Sequence, residues 1–251
     1  MTAVLRLVDT GLAAARWNVA VTAALAELRR RPGARDVLRF HRYRPAVLIG
    51  RGQALAEAID VAACRRHGVE VARRVSGGGA IVVGPSVLAF DLVVAGGVRD
   101  LGARVATAIA AALQTLGAAS AAATAQAVLV DGAKICGLSG GFDGPVSALQ
   151  ASLVLEDIGG AVAALLAPQI RMTPGPAMTD LAAVLGRVPD LAIVQAALGR
   201  AVAQALAREA LPDRLAAAEA DLADRLLAED IGTEAFVRGE ACEPVVTGAA
   251  S

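Results

Sequence analysis

One dipeptide constrains this chain more tightly than any other feature. Asp131-Gly132 follows the apolar run Val128-Leu129-Val130 and precedes Ala133-Lys134-Ile135-Cys136-Gly137. Asp-Gly between apolar runs is the strongest short-range hairpin signal, because both turn residues need positive φ. The spacing predicts strand, tight turn, strand, so the residues just past the turn have a fixed facing. One of them is Lys134, the single lysine among 24 Lys and Arg side chains. Where arginine serves everywhere else, a retained lysine marks a place that needs a compact ammonium on a flexible stem. A surface lysine left by drift is the plainer reading. Cys136 lies two residues on, and simple alternation points it to the same face as Lys134. A nearby cation favours thiolate, which makes Cys136 a possible nucleophile. The alternative is a buried cysteine acting as a small hydrophobe.

A second constraint is Arg73-Arg74-Val75-Ser76-Gly77-Gly78-Gly79-Ala80, entered from a strand at 69–73. Consecutive glycines let a ligand approach the backbone closely. Their successive N–H groups form a concavity suited to anions. Arg74 adds a charge that can pair with a phosphate or carboxylate. A ligand-free turn is the competing reading. The spacing matches neither a P-loop nor a dinucleotide fingerprint.

The rest of the chain reads as a sheet followed by helices. Strands are expected at 3–8, 37–43, 46–50, 69–73, 87–94 and 147–155. On 37–43, Leu38 and Phe40 face one way, Arg39 and His41 the other, with His41 either bordering the site or solvated. Helices are expected at 13–30, at 60–67 and around Leu101, Val105, Ile109 and Leu116. After Glu156 the strand signals stop, and Asp190 and Asp213 cap two further helices. The expected division is a catalytic domain at 1–166 and a helical accessory segment at 167–251. Acidic and basic residues balance at 24 each, and beyond Arg29-Arg30-Arg31 at a helix end no basic run stands out, so no nucleic-acid partner is expected. Cys64, Cys136 and Cys242 show neither metal spacing nor a disulfide framework, which suits a reduced, cytoplasmic setting. The N-terminus has no signal-peptide core. The apolar stretch 80–98 is broken by Gly84, Pro85, Asp91, Gly96 and Gly97, which predicts buried strands and no membrane partner.

Three motifs occur in order: Ile49-Gly50-Arg51-Gly52-Gln53, the Arg73 to Ala80 stretch, and Gly132-Ala133-Lys134-Ile135-Cys136-Gly137. Together they resemble the biotin/lipoate protein ligase superfamily, and best the lipoate–protein ligase and octanoyltransferase family. The resemblance implies an α+β fold like that of class II synthetases and biotin ligases. Its sheet would be mixed, mostly antiparallel and flanked by helices, with a small C-terminal helical segment. It implies an acyltransferase that attaches lipoate, through an acyl-adenylate made with ATP and Mg2+, to a lysine of a lipoyl carrier domain. The alternatives are ATP-independent octanoyl or lipoyl transfer, and a non-catalytic homologue that binds a lipoyl domain or a small acyl ligand such as lipoate or octanoate. Lys134 is the implied catalytic residue. Arg74, Ser76, Gly77, Gly78, Gly79 and Gly137 are the implied substrate-binding residues, with no metal ligands. An ammonium at Lys134 would stabilise negative charge developing on the carboxyl oxygens. Apolar strands around it would line a tunnel for the acyl chain. The chain departs from the family pattern at Val83-Gly84 (usually His-Asp), at Ser86-Val87 (usually Gly-Asn), and at Leu149-Gln150-Ala151, where paired histidines and a glycine are usual. One transferase branch has a cysteine nucleophile where this chain has Ala118-Ala119-Ser120.

Overall fold

The computed structural model describes residues 3–96, 100–157, 164–168 and 177–240. Strand β1 (Ala3–Ala13) leads into helix α1 (Ala15–Arg29), followed by β2 (Asp36–Tyr43) and β3 (Ala46–Ile49). Two short helices, α2 (Leu55–Ala58) and α3 (Val61–Arg66), precede β4 (Glu70–Arg73), β5 (Ile81–Val83) and β6 (Val87–Ala95). Next come α4 (Leu101–Thr115), β7 (Ala122–Ala123), β8 (Ala127–Val130), β9 (Ala133–Asp143) and β10 (Val146–Val154). The remaining elements are α5 (Leu181–Leu185), α6 (Leu191–Ala205), β11 (Arg208–Asp213), α7 (Ala217–Glu229) and α8 (Glu234–Arg238).

Eight strands form one sheet in the order β11-β1-β2-β6-β10-β9-β8-β7. β1 runs parallel to both β11 and β2, and the other pairings are antiparallel. A smaller sheet, β4-β3-β5, carries the glycine-rich stretch between its second and third strands in sequence. The fold is thus the mixed, mostly antiparallel α+β type expected. Alternation along β2 and β6 explains why helices cover both faces. Leu38, Phe40, Leu88, Phe90 and Leu92 pack in one core with α4 and α6. Val37, Val87, Ala89 and Val93 pack in another with α1. Among the described residues no helix is long and apolar enough to cross a membrane.

Helix ends follow from side-chain chemistry. Asp60 accepts from the Ala63 N–H at 2.8 Å and Asp190 from the Ala192 N–H at 2.7 Å, capping α3 and α6 as expected. α1 starts at Ala14, which cannot cap, and a distant carboxylate substitutes for it. Glu70 accepts from the Ala15 and Arg16 N–H groups at 2.6 and 3.1 Å.

Two expectations fail in the C-terminal part. Residues 208–213 form a strand, β11, in register beside β1. Pro212 is tolerated there because β11 is an edge. Asp213 is therefore not a helix cap: it ends β11 and binds Arg6 of β1 at 2.6 Å. α7 begins at Ala217, and the Glu219 carboxylate accepts from the Ala216 N–H at 2.8 Å. β1 also runs on to Ala13, past a register shift between Asp9 and Leu12.

Candidate active site

The hairpin forms as its dipeptide dictates, with Asp131 at φ 50° and Gly132 at φ 79°. The strand beyond it then departs from simple alternation. Leu129 pairs with Lys134, but Val128 pairs with Cys136, so Ile135 is an inserted residue. Besides pairing with β8, Lys134 bridges to residues 177–179: its N–H donates to the Ala177 carbonyl at 2.7 Å, and its carbonyl accepts from the Thr179 N–H at 3.0 Å. The bulge re-aims the side chains. It turns Ile135 and Cys136 together into the α4 core, while Lys134 shares the opposite face with Gly137 and Ser139. A Cβ built on Gly137 would lie 3.0 Å from Lys134 Nζ and 3.1 Å from Cε. The lysine stem therefore lies across Gly137, which accounts for glycine at that position.

The same bulge corrects the facing of Cys136. It does not accompany Lys134 but is fully buried in the core. Burial pushes its thiol up to about 12, against weaker opposing pulls from the Ser152 backbone and the Lys134 charge. That is the environment of an inert cysteine rather than a nucleophile.

The glycine stretch folds back onto the end of β3. The Arg74 N–H donates to Ile49 O at 2.8 Å, and the Arg51 N–H donates to Ser76 O at 2.9 Å. A Cβ on Gly50 would sit 2.0 Å from the Gly78 carbonyl oxygen, so the Ile-Gly-Arg motif and the loop are packed backbone to backbone. Gly78 has φ 93°, and a Cβ there would lie 3.3 Å from Arg74 Nη2 and 3.5 Å from Ser139 Cβ. Gly77 and Gly79 border open space.

The two arginines ahead of the loop both work inward. Arg74 is 3% exposed, and its guanidinium donates to the carbonyls of Leu48, Gly77 and Gly79 at 2.8–3.1 Å. It shapes the loop from behind, and its Nε has no hydrogen-bond partner among the described residues. Arg73 donates to the carbonyls of Gly50, Arg51 and Gln53 on one side and of Phe236 and Val237 on the other, at 2.8–3.1 Å. It ties the turn after β3 to the C-terminus of α8, where a cation also suits the helix dipole.

Beneath the loop lies a feature that reasoning from sequence missed. Ser139, Gln150, Asp91 and Arg39 are in register across β9, β10, β6 and β2, so they form one row on one face. Ser76 Oγ donates to Gln150 Oε1 at 2.5 Å and lies 3.2 Å from Ser139 Oγ. Gln150 Nε2 donates to Asp91 Oδ1 at 3.0 Å. Asp91 Oδ2 accepts from Thr22 Oγ1 at 2.8 Å and Arg39 Nη1 at 3.0 Å. Arg39 also binds Asn18 and Thr10. His41 is buried rather than solvated. It contacts Tyr43 at 3.0 Å and is held neutral by burial and by the Arg39 charge. The signals available were Asp91 inside an apolar strand and Gln150 at a departure from the motif.

The structure thus brings Lys134, Gly137, Ser76 and Gly78 together around Ser139, with Arg74 behind the loop and Cys136 on the other face. The expected apolar tunnel differs from what stands there. The strands beside Lys134 present Gly137, Ser139, Gly141, Ala148, Gln150 and Ser152 on this face. A cleft of about 370 Å³ lies instead between the start of α4 and the β9–β10 strands, lined by Leu101, Gly102, Leu138, Gly140 and Leu149; it reaches Ser139 but not Lys134 or the glycine loop. Among the described residues no cluster of three or more His, Cys, Asp or Glu could hold a metal ion.

Comparison with known proteins bears on this geometry. Residues 14–203 match the sequence model of the lipoyl protein ligase A/B catalytic domain. Octanoyltransferase LipM of Moorella thermoacetica is 34% identical over 120 residues, which is 45% of this chain and 44% of that protein. The chain thus aligns with less than half the length of that relative. A bi-partite lipoate protein ligase from Thermoplasma acidophilum, solved in a study with its E2 lipoyl domain, superposes with a TM-score of 0.85. It is 23% identical and covers 98% of this chain and 100% of its own. Lipoate-protein ligase A bound with ATP superposes at 0.82 with 22% identity, covering 95% of this chain and 99% of its own. At these identities the structural likenesses speak to the fold.

Proposed function

The chain belongs to the family of lipoyl protein ligase A/B catalytic domains, and from that premise we propose that it attaches a lipoyl or octanoyl group to a lysine of a lipoyl carrier domain. One observation carries the reading. The Lys134 ammonium lies across Gly137, on the face that leads through Ser139 to Ser76 and Gly78. Among the described residues no carboxylate pairs with it. Acyl transfer builds negative charge on a carboxyl or anhydride oxygen, and a positioned ammonium stabilises that charge without reorganising.

The preferred route is activation of the acid by ATP: the carboxylate oxygen bonds to the α-phosphorus, pyrophosphate leaves, and an acyl-adenylate results. The residues present fit an anion: Gly77 and Gly79 leave open space, and the loop backbone lies beside it. Mg2+ would arrive on the nucleotide phosphates, its usual mode, since no carboxylate cluster is built for it among the described residues. The carrier amine then bonds to the acyl carbon, AMP leaves, and the amine loses a proton. Thiol-mediated transfer is the second reading, favoured by the octanoyltransferase relative. Against it, both cysteines among the described residues, Cys64 and Cys136, are buried; Cys242 lies outside the described residues. A binding-only homologue is favoured by the departures at Val83-Gly84, Ser86-Val87 and Leu149-Gln150-Ala151.

An apo lipoyl domain separates these readings by mass. Lipoate or octanoate with ATP and magnesium should acylate the domain. Acylation from an octanoyl thioester without ATP, and not from the free acids, selects the transferase. No acylation in any arm, with thermal stabilisation by octanoate, selects the binding homologue.

A further inference from the structure

Gln150, Asp91 and Arg39 of the polar row beneath the glycine loop take no part in the chemistry above, and with Ser76 they are nearly inaccessible: Arg39 0%, Asp91 1%, Ser76 2%, Gln150 7% exposed. We propose that Gln150, oriented by the Asp91–Arg39 pair, is a positioning residue that fixes the Ser76 hydroxyl and with it the conformation of Gly77 to Gly79. The inference rests on reading that loop as the ligand cradle. Direction is what the row supplies. A carboxylate held by a guanidinium can only accept. Asp91 Oδ1 therefore orients the Gln150 amide with its nitrogen toward β6. The amide oxygen is left facing Ser76, whose hydroxyl donates to it at 2.5 Å. That commits the Ser76 proton to Gln150 and turns its free oxygen lone pairs toward Ser139. With its carbonyl held by the Arg51 N–H, Ser76 is pinned on both sides immediately before the three glycines. An apolar side chain could fill the same volume without desolvation cost but would orient nothing.

Hydrogen exchange of the 74–80 segment in the ligand-free protein, with octanoate affinity by calorimetry, tests this. Gln150→Leu should speed exchange of that segment about tenfold and weaken octanoate by a similar factor. Gln150→Glu gives the pH signature that a packing role lacks. The titratable groups facing position 150 are Asp91 and, behind it, Arg39, His41 and Tyr43. At about pH 8 two carboxylates would oppose each other. At about pH 5.5 a protonated Glu can again donate to Asp91 and accept from Ser76. Relative to the unsubstituted protein at each pH, exchange in Gln150→Glu should be fast at the higher pH and recover to within about twofold at the lower. Unchanged exchange in Gln150→Leu, or indifference of Gln150→Glu to pH, overturns the proposal. If Gln150→Leu does not fold, the Gln150→Glu series decides alone. Should the unsubstituted protein fail to bind octanoate while exchange behaves as stated, the cradle reading falls and the positioning role stands.

Discussion

Gly50 and Gly137 are both motif glycines, yet their contacts predict opposite outcomes on substitution. A methyl on Gly50 meets backbone, the Gly78 carbonyl at 2.0 Å, which cannot move without the loop. Gly50→Ala should cost about 1–3 kcal/mol in urea unfolding and abolish transfer. A methyl on Gly137 meets only the flexible end of Lys134. Gly137→Ala should leave stability within about 0.5 kcal/mol while displacing the ammonium and lowering transfer. Equal stability losses in both would contradict this account. His41 supplies a pH prediction. It is held neutral in the fold, with its pKa well below the usual imidazole value. The unfolded chain takes up a proton there below about pH 6.5, so the unfolded state binds more protons. Stability should therefore fall as pH drops below about 6.5, by up to about 1.4 kcal/mol per pH unit. His41→Gln should flatten that slope in thermal melts, and an unchanged slope would mean that other groups carry it.

The coupling between elements runs through Arg73, whose guanidinium bridges the turn after β3 and the end of α8. Arg73→Ala strands several buried carbonyls, at a cost of at least about 1.5 kcal/mol. Exchange should rise in residues 234–240 and in the glycine loop together. A rise confined to one of them would show that the two are not linked through this side chain. The hairpin was legible in the sequence because Asp-Gly permits few other conformations. The bulge was not, because Ile135 and Cys136 are both apolar and either facing satisfies the pattern. Arg39, Asp91 and Gln150 were visible singly, but only strand register shows that they form a row. β11 was hidden because Arg208 to Asp213 has little alternation and contains Pro212. Pairing with β1, not intrinsic propensity, makes it a strand.

Across the whole molecule, residues after 166 join the same sheet and the same cores as those before it. β11 pairs with β1, α6 contributes to the core built on α4, and Leu222, Ala223 and Leu226 of α7 pack with α1. The single tryptophan, Trp17 on α1, donates to Asp224 of α7 at 3.1 Å and so reports their docking. Unfolding followed by Trp17 fluorescence and by far-ultraviolet circular dichroism should give coincident transitions. An earlier fluorescence transition would show that the C-terminal segment detaches first. The proposed role of Lys134, placed by the bulge, is to carry acyl transfer at this site. The most direct measurement is the rate of acylation of an apo lipoyl domain, read by mass, for the unsubstituted protein and for Lys134→Arg. The guanidinium keeps the charge but is planar and bulkier, so it cannot take up the ammonium's place over Gly137. The account predicts acylation by the unsubstituted protein and a loss of at least about a hundredfold in Lys134→Arg, with the melting temperature nearly unchanged. Full transfer by Lys134→Arg would contradict it.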